Sequence, residues 1–200
     1  MNERMYLLHI KLKDIEPEIY RRFVVPGSIT LDRLHEVIQI VMGWDDYHLY
    51  EFTIGDTRYD ENPEQSFAPG PLKNAGKTRL LDVIRRKGRS FRYIYDFGDN
   101  WEHTLTVEES NYPPEKCEKD LFCIEGARAC PPENVGGFPG YRRFLDSISN
   151  IYDDEREQNL TWHGGGFDSE HFDREKVNFE LSKYRTWSRD RHKPWHNIVW

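Results

Sequence analysis

Residues 91–103 read Phe91-Arg92-Tyr93-Ile94-Tyr95-Asp96-Phe97-Gly98-Asp99-Asn100-Trp101-Glu102-His103. Alternating runs flank a Gly98-Asp99-Asn100 turn signal, so the stretch reads as a β-hairpin of strands 90–97 and 101–108. A three-residue loop pairs Phe97 with Trp101, Tyr95 with His103, Tyr93 with Leu105 and Phe91 with Val107. Every apolar residue then lies on one face. The other face sets Asp96 opposite Glu102, and opposed like charges cost ~0.2–1 kcal/mol. Arg92, a partner's basic residue or a cation would have to offset that. A two-residue loop Asp99-Asn100 instead sets Asp96 against His103, a pair that raises a histidine pKa. The plainest reading makes Asp99 and Asn100 the turn and His103 a core histidine.

The same alternation recurs on both sides of this hairpin. Tyr6, Leu8, Ile10 and Leu12 alternate with Leu7, His9, Lys11 and Lys13, which predicts a half-buried strand over 4–13. Ile15 to Glu18 is a turn, and residues 19–25 form the next strand, stopped by Pro26-Gly27. Ser28 or Thr30 can cap a helix over 31–42, whose apolar stripe is Leu31, Leu34, Ile38 and Val41 and whose stop is Gly43. A second hairpin covers 48–54 and 57–60. Residues 61–78 read as a loop, and Leu80 to Ile84 as the start of a short helix. Residues 110–138 hold four prolines and all three cysteines without periodicity, a loop length that is often functional. Helices are predicted over 139–149, 153–160 and 173–183. Strands with one helix, followed by helices, predict an α+β fold with a mainly antiparallel sheet of hairpins and helices packed on one face.

Apolar residues make up 37% of the 200 positions and aromatic residues 14%. Each buried aromatic removes ~150–250 Å² from water, so the core should be rich in Tyr, Phe and Trp. Net charge is −7, the opposite of what duplex DNA selects. Residues 183–200 hold five basic residues and one acid, which leaves −11 for the first 182. The chain therefore divides into one domain over 1–183 and a basic, tryptophan-rich tail over 184–200. Basic residues interleaved with tryptophans can bind single strands. Three exposed tryptophans are also an aggregation hazard, so the tail is expected to dock on the body or on a neighbouring subunit. Three cysteines and no apolar leader predict a reducing, cytoplasmic setting. No apolar run approaches the ~18 residues of a membrane span.

Several segments together resemble the plasmid pRiA4b ORF-3-like family. They are Glu18-Ile19-Tyr20-Arg21-Arg22, Leu34 to Gln39 running on to Gly43-Trp44-Asp45-Asp46-Tyr47-His48-Leu49, and the Asp96–His103 turn. Further on come Ala129-Cys130-Pro131-Pro132-Glu133, Gly136-Gly137, Gly140-Tyr141, Gly165-Gly166-Phe167-Asp168, Phe172-Asp173 and Val177-Asn178. The resemblance spans roughly residues 4–180. It implies a setting on plasmids and chromosomes of bacteria and archaea. It departs at Tyr20, where the family usually has Trp, and at Val135, often Cys, which weakens any cysteine metal site.

Candidate chemistry lies in three places. In the hairpin, Asp96, Asp99, Trp101, Glu102 and His103 are candidate ligand-binding residues, with Asp168 from the glycine-rich segment. Arg21 and Arg22 point to opposite faces of their strand. One should be solvated and the other paired with a buried acid, with phosphate contact as the functional alternative. The segment His163 to Asp173 carries two histidines and three acids, which could serve a hard metal or zinc. The plain reading is a glycine linker with Asp173 capping the next helix. Cys123 and Cys130 could join His163, His171 and Asp173 as metal ligands, or pack as small buried thiols. If hairpin and glycine-rich segment serve one function, Asp96 or Glu102 should lie near His163, Asp168 or His171. No Gly-x-Ser-x-Gly elbow, P-loop or dinucleotide fingerprint is present. A serine-recombinase nucleophile is missing, and His171-Phe172-Asp173-Arg174 with Tyr184 imitates a tyrosine recombinase only by coincidence.

These features predict a binding or interaction protein of plasmid and mobile-element type. The alternative is a metal-dependent hydrolase or phosphoesterase using the acidic and histidine cluster. A divalent metal is the one cofactor the residues suggest. The expected partner is a macromolecule of unspecified kind. Net charge does not favour nucleic acid, and nothing points to a membrane.

Overall fold

The computed structural model describes residues 3–65, 70–117 and 119–188. Eight strands among them build one sheet: β1 (Met5–Leu12), β2 (Tyr20–Pro26), β3 (Tyr50–Ile54), β4 (Thr57–Asp60), β5 (Leu72–Asn74), β6 (Ser90–Tyr95), β7 (Trp101–Glu109) and β8 (Phe122–Ala127). Their order is β5-β4-β3-β6-β7-β1-β2-β8. Every neighbouring pair is antiparallel except β4 with β5. Five helices accompany them: α1 (Leu31–Met42), α2 (Leu80–Val83), α3 (Gly137–Ser149), α4 (Arg156–His163) and α5 (Arg174–Ser188). The fold is α+β, as the pattern of elements predicts.

The core follows from period-two alternation. Tyr6, Leu8, Ile10 and Leu12 of β1 join the main cluster, and so do Leu34, Ile38 and Val41 of α1, all buried. At ~25 cal/mol per Å² of apolar surface, each such aliphatic side chain contributes ~1.5–3 kcal/mol of burial. Helix α1 stops at Gly43, whose φ of 99° suits the left-handed C-terminal position. Thr30 stands at its N-terminus without a side-chain capping bond. Met5, Leu7, Val24 and Phe122 form a smaller cluster, with Tyr112 and Cys117 packed against it.

Three expectations are corrected. The 91–103 hairpin closes with a five-residue loop, residues 96–100, so Tyr95 pairs with Trp101, Tyr93 with His103 and Phe91 with Leu105. The slip is two residues and keeps the apolar face intact. Asp96 therefore faces neither Glu102 nor His103 across the ladder. The stretch 110–138 is not one long loop, because it contains β8, which pairs with β2. That strand reads Phe-Cys-Ile-Glu-Gly-Ala, too short and too weakly alternating to stand out. The 61–78 loop likewise contains the three-residue β5, parallel to β4.

Helix α5 continues past the expected end at 183. Tyr184 is buried and donates a hydrogen bond to Glu36, close to Arg33. Residues 189–200, and the Trp187 side chain, lie outside the described residues, and the expected docking of the tail falls on them. No helix of the described residues is long and apolar enough to cross a membrane.

Candidate functional site

Three segments meet at the end of the β6–β7 hairpin. The first is the turn 96–100, the second is 44–49 after α1, and the third is 130–137, which runs into the first residue of α3. The Asp96 amide donates to the Leu49 carbonyl at 2.9 Å. The Asp96 carboxylate accepts the Gly98 amide at 2.8 Å. Tyr95 accepts the Tyr47 amide at 3.0 Å and donates its hydroxyl to Glu133 at 2.8 Å. Glu133 also accepts the Asp45 amide at 3.0 Å. The Trp44 indole donates to the Pro131 carbonyl at 3.0 Å. The Asp99 carboxylate accepts the Gly136 amide at 3.0 Å.

His48 stands at the centre. Its Nε2 lies 3.0 Å from Asn134 Oδ1, 3.6 Å from Asp96 Oδ2 and 3.8 Å from Glu133 Oε2. Burial raises the Glu133 carboxyl pKa, against the lowering effect of the Asp45 amide and the Tyr95 hydroxyl. Burial raises the Tyr95 phenol as well, and its bond to Glu133 adds to this. Four residues here, Asp46, Asp96, Asn100 and Asn134, have φ between 54° and 59°. Asp and Asn tolerate this left-handed region better than other side chains, which explains their presence. Such conformations concentrate where neighbouring structure overdetermines a site.

A buried polar chain supports this surface from below. His35 Nε2 lies 2.7 Å from Asp46, and His35 Nδ1 lies 2.7 Å from the Tyr93 hydroxyl. That hydroxyl accepts Gln39 Nε2 at 2.9 Å. If Tyr93 donates to Nδ1, the His35 proton sits on Nε2 and points at Asp46. Tyr50 stacks on the His35 ring at 3.7 Å.

The residues singled out from sequence scatter. Asp96 and Asp99 belong to the joined surface. Trp101 and His103 are buried under it. Burial lowers the His103 pKa to about 3, opposed by the Trp101 and Tyr93 carbonyls. Glu102 lies on the outer sheet face, paired with Lys13 and Arg92 at 3.0 Å each. Arg22 is held between Glu108 and Glu125. Arg21 is buried, yet no acid meets it. Its guanidinium donates to the carbonyls of Val41, Tyr20, Ala127 and Arg128, and Phe172 covers it at 4.2 Å. Sequence suggested a carboxylate partner, but the ends of β2 and β8 supply carbonyls instead. That leaves the guanidinium no open face for a phosphate.

Asp168 is exposed and accepts the Glu170 amide. Asp173 accepts the Lys176 amide in the first turn of α5. The His171 amide donates to the Asp168 carbonyl. Burial raises the Cys123 thiol to about 11 and raises Cys130 as well. Among the described residues, no group of three or more His, Cys, Asp and Glu side chains is placed to hold a metal ion. His163 lines a recess with Asp45 and Glu133, so the glycine-rich segment approaches the joined surface through its first residue. Of the other metal candidates, Cys130 lines the same recess as His163.

Sequence reading passed over His48, Tyr95, Glu133 and Asn134 as site residues. The signals available were the dense run Asp45 to His48 and the length of the segment holding Glu133. Neither reveals that the two runs share hydrogen bonds.

The chain is similar to proteins of two organisms. It is 38% identical over 178 residues to the uncharacterized protein y4hQ of Sinorhizobium fredii, covering 88% of each chain. It is similar to the crystal structure of MM3350 from Methanosarcina mazei Go1, a protein of unknown function. That match has a TM-score of 0.77 and 34% identity, and covers 88% of this chain and 98% of the other. The model of the plasmid pRiA4b ORF-3-like proteins matches residues 4–176, and the chain belongs to that family.

Proposed function

We propose that this chain is a cytoplasmic binding protein of plasmid and mobile-element type, and that it engages a macromolecular partner through the surface around the 96–100 turn. The observation that carries this reading is an exposed apolar rim on a pre-organised backbone. Tyr47, Leu49, Phe97 and Phe138 are 69%, 62%, 53% and 43% exposed. Tyr47, Leu49 and Phe97 belong to the hydrogen-bonded segments, and Phe138 follows the third of them in the first turn of α3. Grouped exposed apolar side chains with polar neighbours mark interaction sites. Asp96 and Asp99 supply the polar part. A rim fixed by so many backbone bonds loses little freedom on binding, which lowers the entropic cost of association.

A hydrolytic reading needs a metal or a nucleophile beside a base. The described residues offer no three-ligand group, and the polar partners of His48 Nε2 are the acceptors Asn134, Asp96 and Glu133. The test is site-specific photo-crosslinking in cells with p-benzoylphenylalanine at position 97. A discrete adduct that disappears in a Tyr47→Ser, Phe138→Ser background is the expected result. Absence of any adduct, together with metal-dependent phosphoester hydrolysis lost in Glu133→Gln, would overturn the proposal.

A further inference from the structure

Beside the apolar rim, Trp162 of α4 stands half exposed between two adjoining recesses of about 320 and 400 Å³. Asn134 is the other residue common to both. The larger recess is flanked by Asp45 and Glu133, and the smaller by Phe144 and Arg143. Glu133 Oε2 is buried without a hydrogen-bond partner, while Oε1 is already used by Asp45 and Tyr95. The indole of Trp162 thus lines one recess with Asp45 and Glu133, on a body that carries −11 over its first 182 residues.

We propose that this groove seats an arginine-bearing peptide segment of a partner protein. The inference rests on the binding role argued above and names its partner class. Arginine fits better than lysine for two reasons. A planar guanidinium stacks on an indole, and its fork meets carboxylates in pairs. The guanidinium lies against Trp162 and reaches Asp45 and Glu133. An apolar neighbour of that arginine enters the smaller recess against Phe144. Charge complementarity between an acidic body and a cationic segment also speeds encounter and makes binding salt-sensitive.

The test is fluorescence anisotropy with short, labelled, end-blocked peptides of alternating leucine and arginine. Matched peptides carry lysine, citrulline or glutamate in place of arginine. The arginine peptide should bind tightest, lysine weaker, citrulline weaker still, and the glutamate peptide not at all. Trp162→Ala and Glu133→Gln should each weaken the arginine peptide about tenfold, the scale of an aromatic or charged anchor. Glu133→Gln keeps the Oε1 acceptor, and unchanged circular dichroism will show that the fold persists. Equal binding of the arginine and glutamate peptides, or wild-type affinity in Trp162→Ala, would overturn the inference. So would preferential binding of a thymidine oligonucleotide. An adduct at position 97 with no preference for arginine would keep the binding role and sink only this partner class. Arginine-selective binding without any adduct would keep the groove as a peptide site and sink only the contact placed at the 96–100 turn.

Discussion

The carbonyl oxygen of Asp99 occupies the space that a β-carbon on Gly137 would need, only 2.4 Å from it. Gly137 also has φ of +64°, so both space and backbone demand glycine there. This contact sets the hairpin turn directly against the start of α3. Gly137→Ala is expected to cost about 2–3 kcal/mol through strain and displacement. For a chain of this size that lowers the melting temperature by roughly 5–10 °C. Differential scanning calorimetry checks it. A variant that melts as wild type would mean the turn and α3 separate freely.

Asn178 of α5 closes the exposed edge of β8. Its Oδ1 accepts the Cys123 amide at 2.7 Å, and its Nδ2 donates to the Cys123 carbonyl at 2.9 Å. One carboxamide thus satisfies both backbone groups of an edge residue, as a neighbouring strand would. Asn178→Leu leaves both unpaired and should cost about 2–3 kcal/mol. Asn178→Asp keeps the acceptor, removes the donor and should cost less. Urea denaturation ranks the two variants. Faster hydrogen exchange at the Cys123 amide in Asn178→Leu alone would locate the effect at this edge.

Much of the sheet was readable because period-two burial leaves a direct mark in sequence. Strand β1 shows the alternation plainly, and α1 carries its stripe and its glycine stop. Strand β8 was invisible, since its place depends on β2 and on an asparagine more than fifty residues away. The site divides in the same way. Asp96 and Asp99 stood out because turn chemistry is local. Glu133 and His48 did not, because their meeting depends on how the 130–137 segment crosses over residues 44–49. Arg21 looked like a phosphate or carboxylate binder, because sequence does not show which carbonyls a guanidinium meets.

Arg21 makes a further prediction about stability rather than binding. Its four carbonyl partners come from β2, the end of α1, and the end of β8 with the residue after it. Burial lowers its pKa, and the nearby Cys130 and Cys123 work against that. A lysine ammonium offers three donors at one point and cannot reach groups spread round a planar fork. Arg21→Lys should therefore cost about 3 kcal/mol or more, within the range for broken buried polar networks. The denaturation midpoint should fall with an unchanged slope. A wild-type midpoint would show that the carbonyls find other donors.

His103 makes the sharpest pH prediction. The ring is fully buried, and neither nitrogen makes a hydrogen bond of ordinary geometry. Trp44 meets it edge-on at 5.2 Å, and Tyr93 lies 5.2 Å away on the other strand of the hairpin. Burial holds its pKa at about 3, against ~6.5 in an unfolded chain. Between those values the unfolded chain carries a proton that the folded chain lacks. Stability therefore rises with pH across that window and is lost on acidification, at about 1.4 kcal/mol per pH unit. Above pH ~6.5 the ring is neutral in both states and contributes no slope. Glu36 and Glu133 have pKa values raised by burial and contribute the opposite slope. They are shared by wild type and variant, so they cancel in the difference. His103→Phe keeps an aromatic ring and removes an unsatisfied polar group, so it should be neutral or stabilising at pH 7. Its advantage over wild type should then widen steadily as the pH falls from 6.5 to 4. Urea titrations at several pH values measure that difference directly. A constant difference across the series would mean that His103 titrates normally in the folded state, and that the core admits water to its ring.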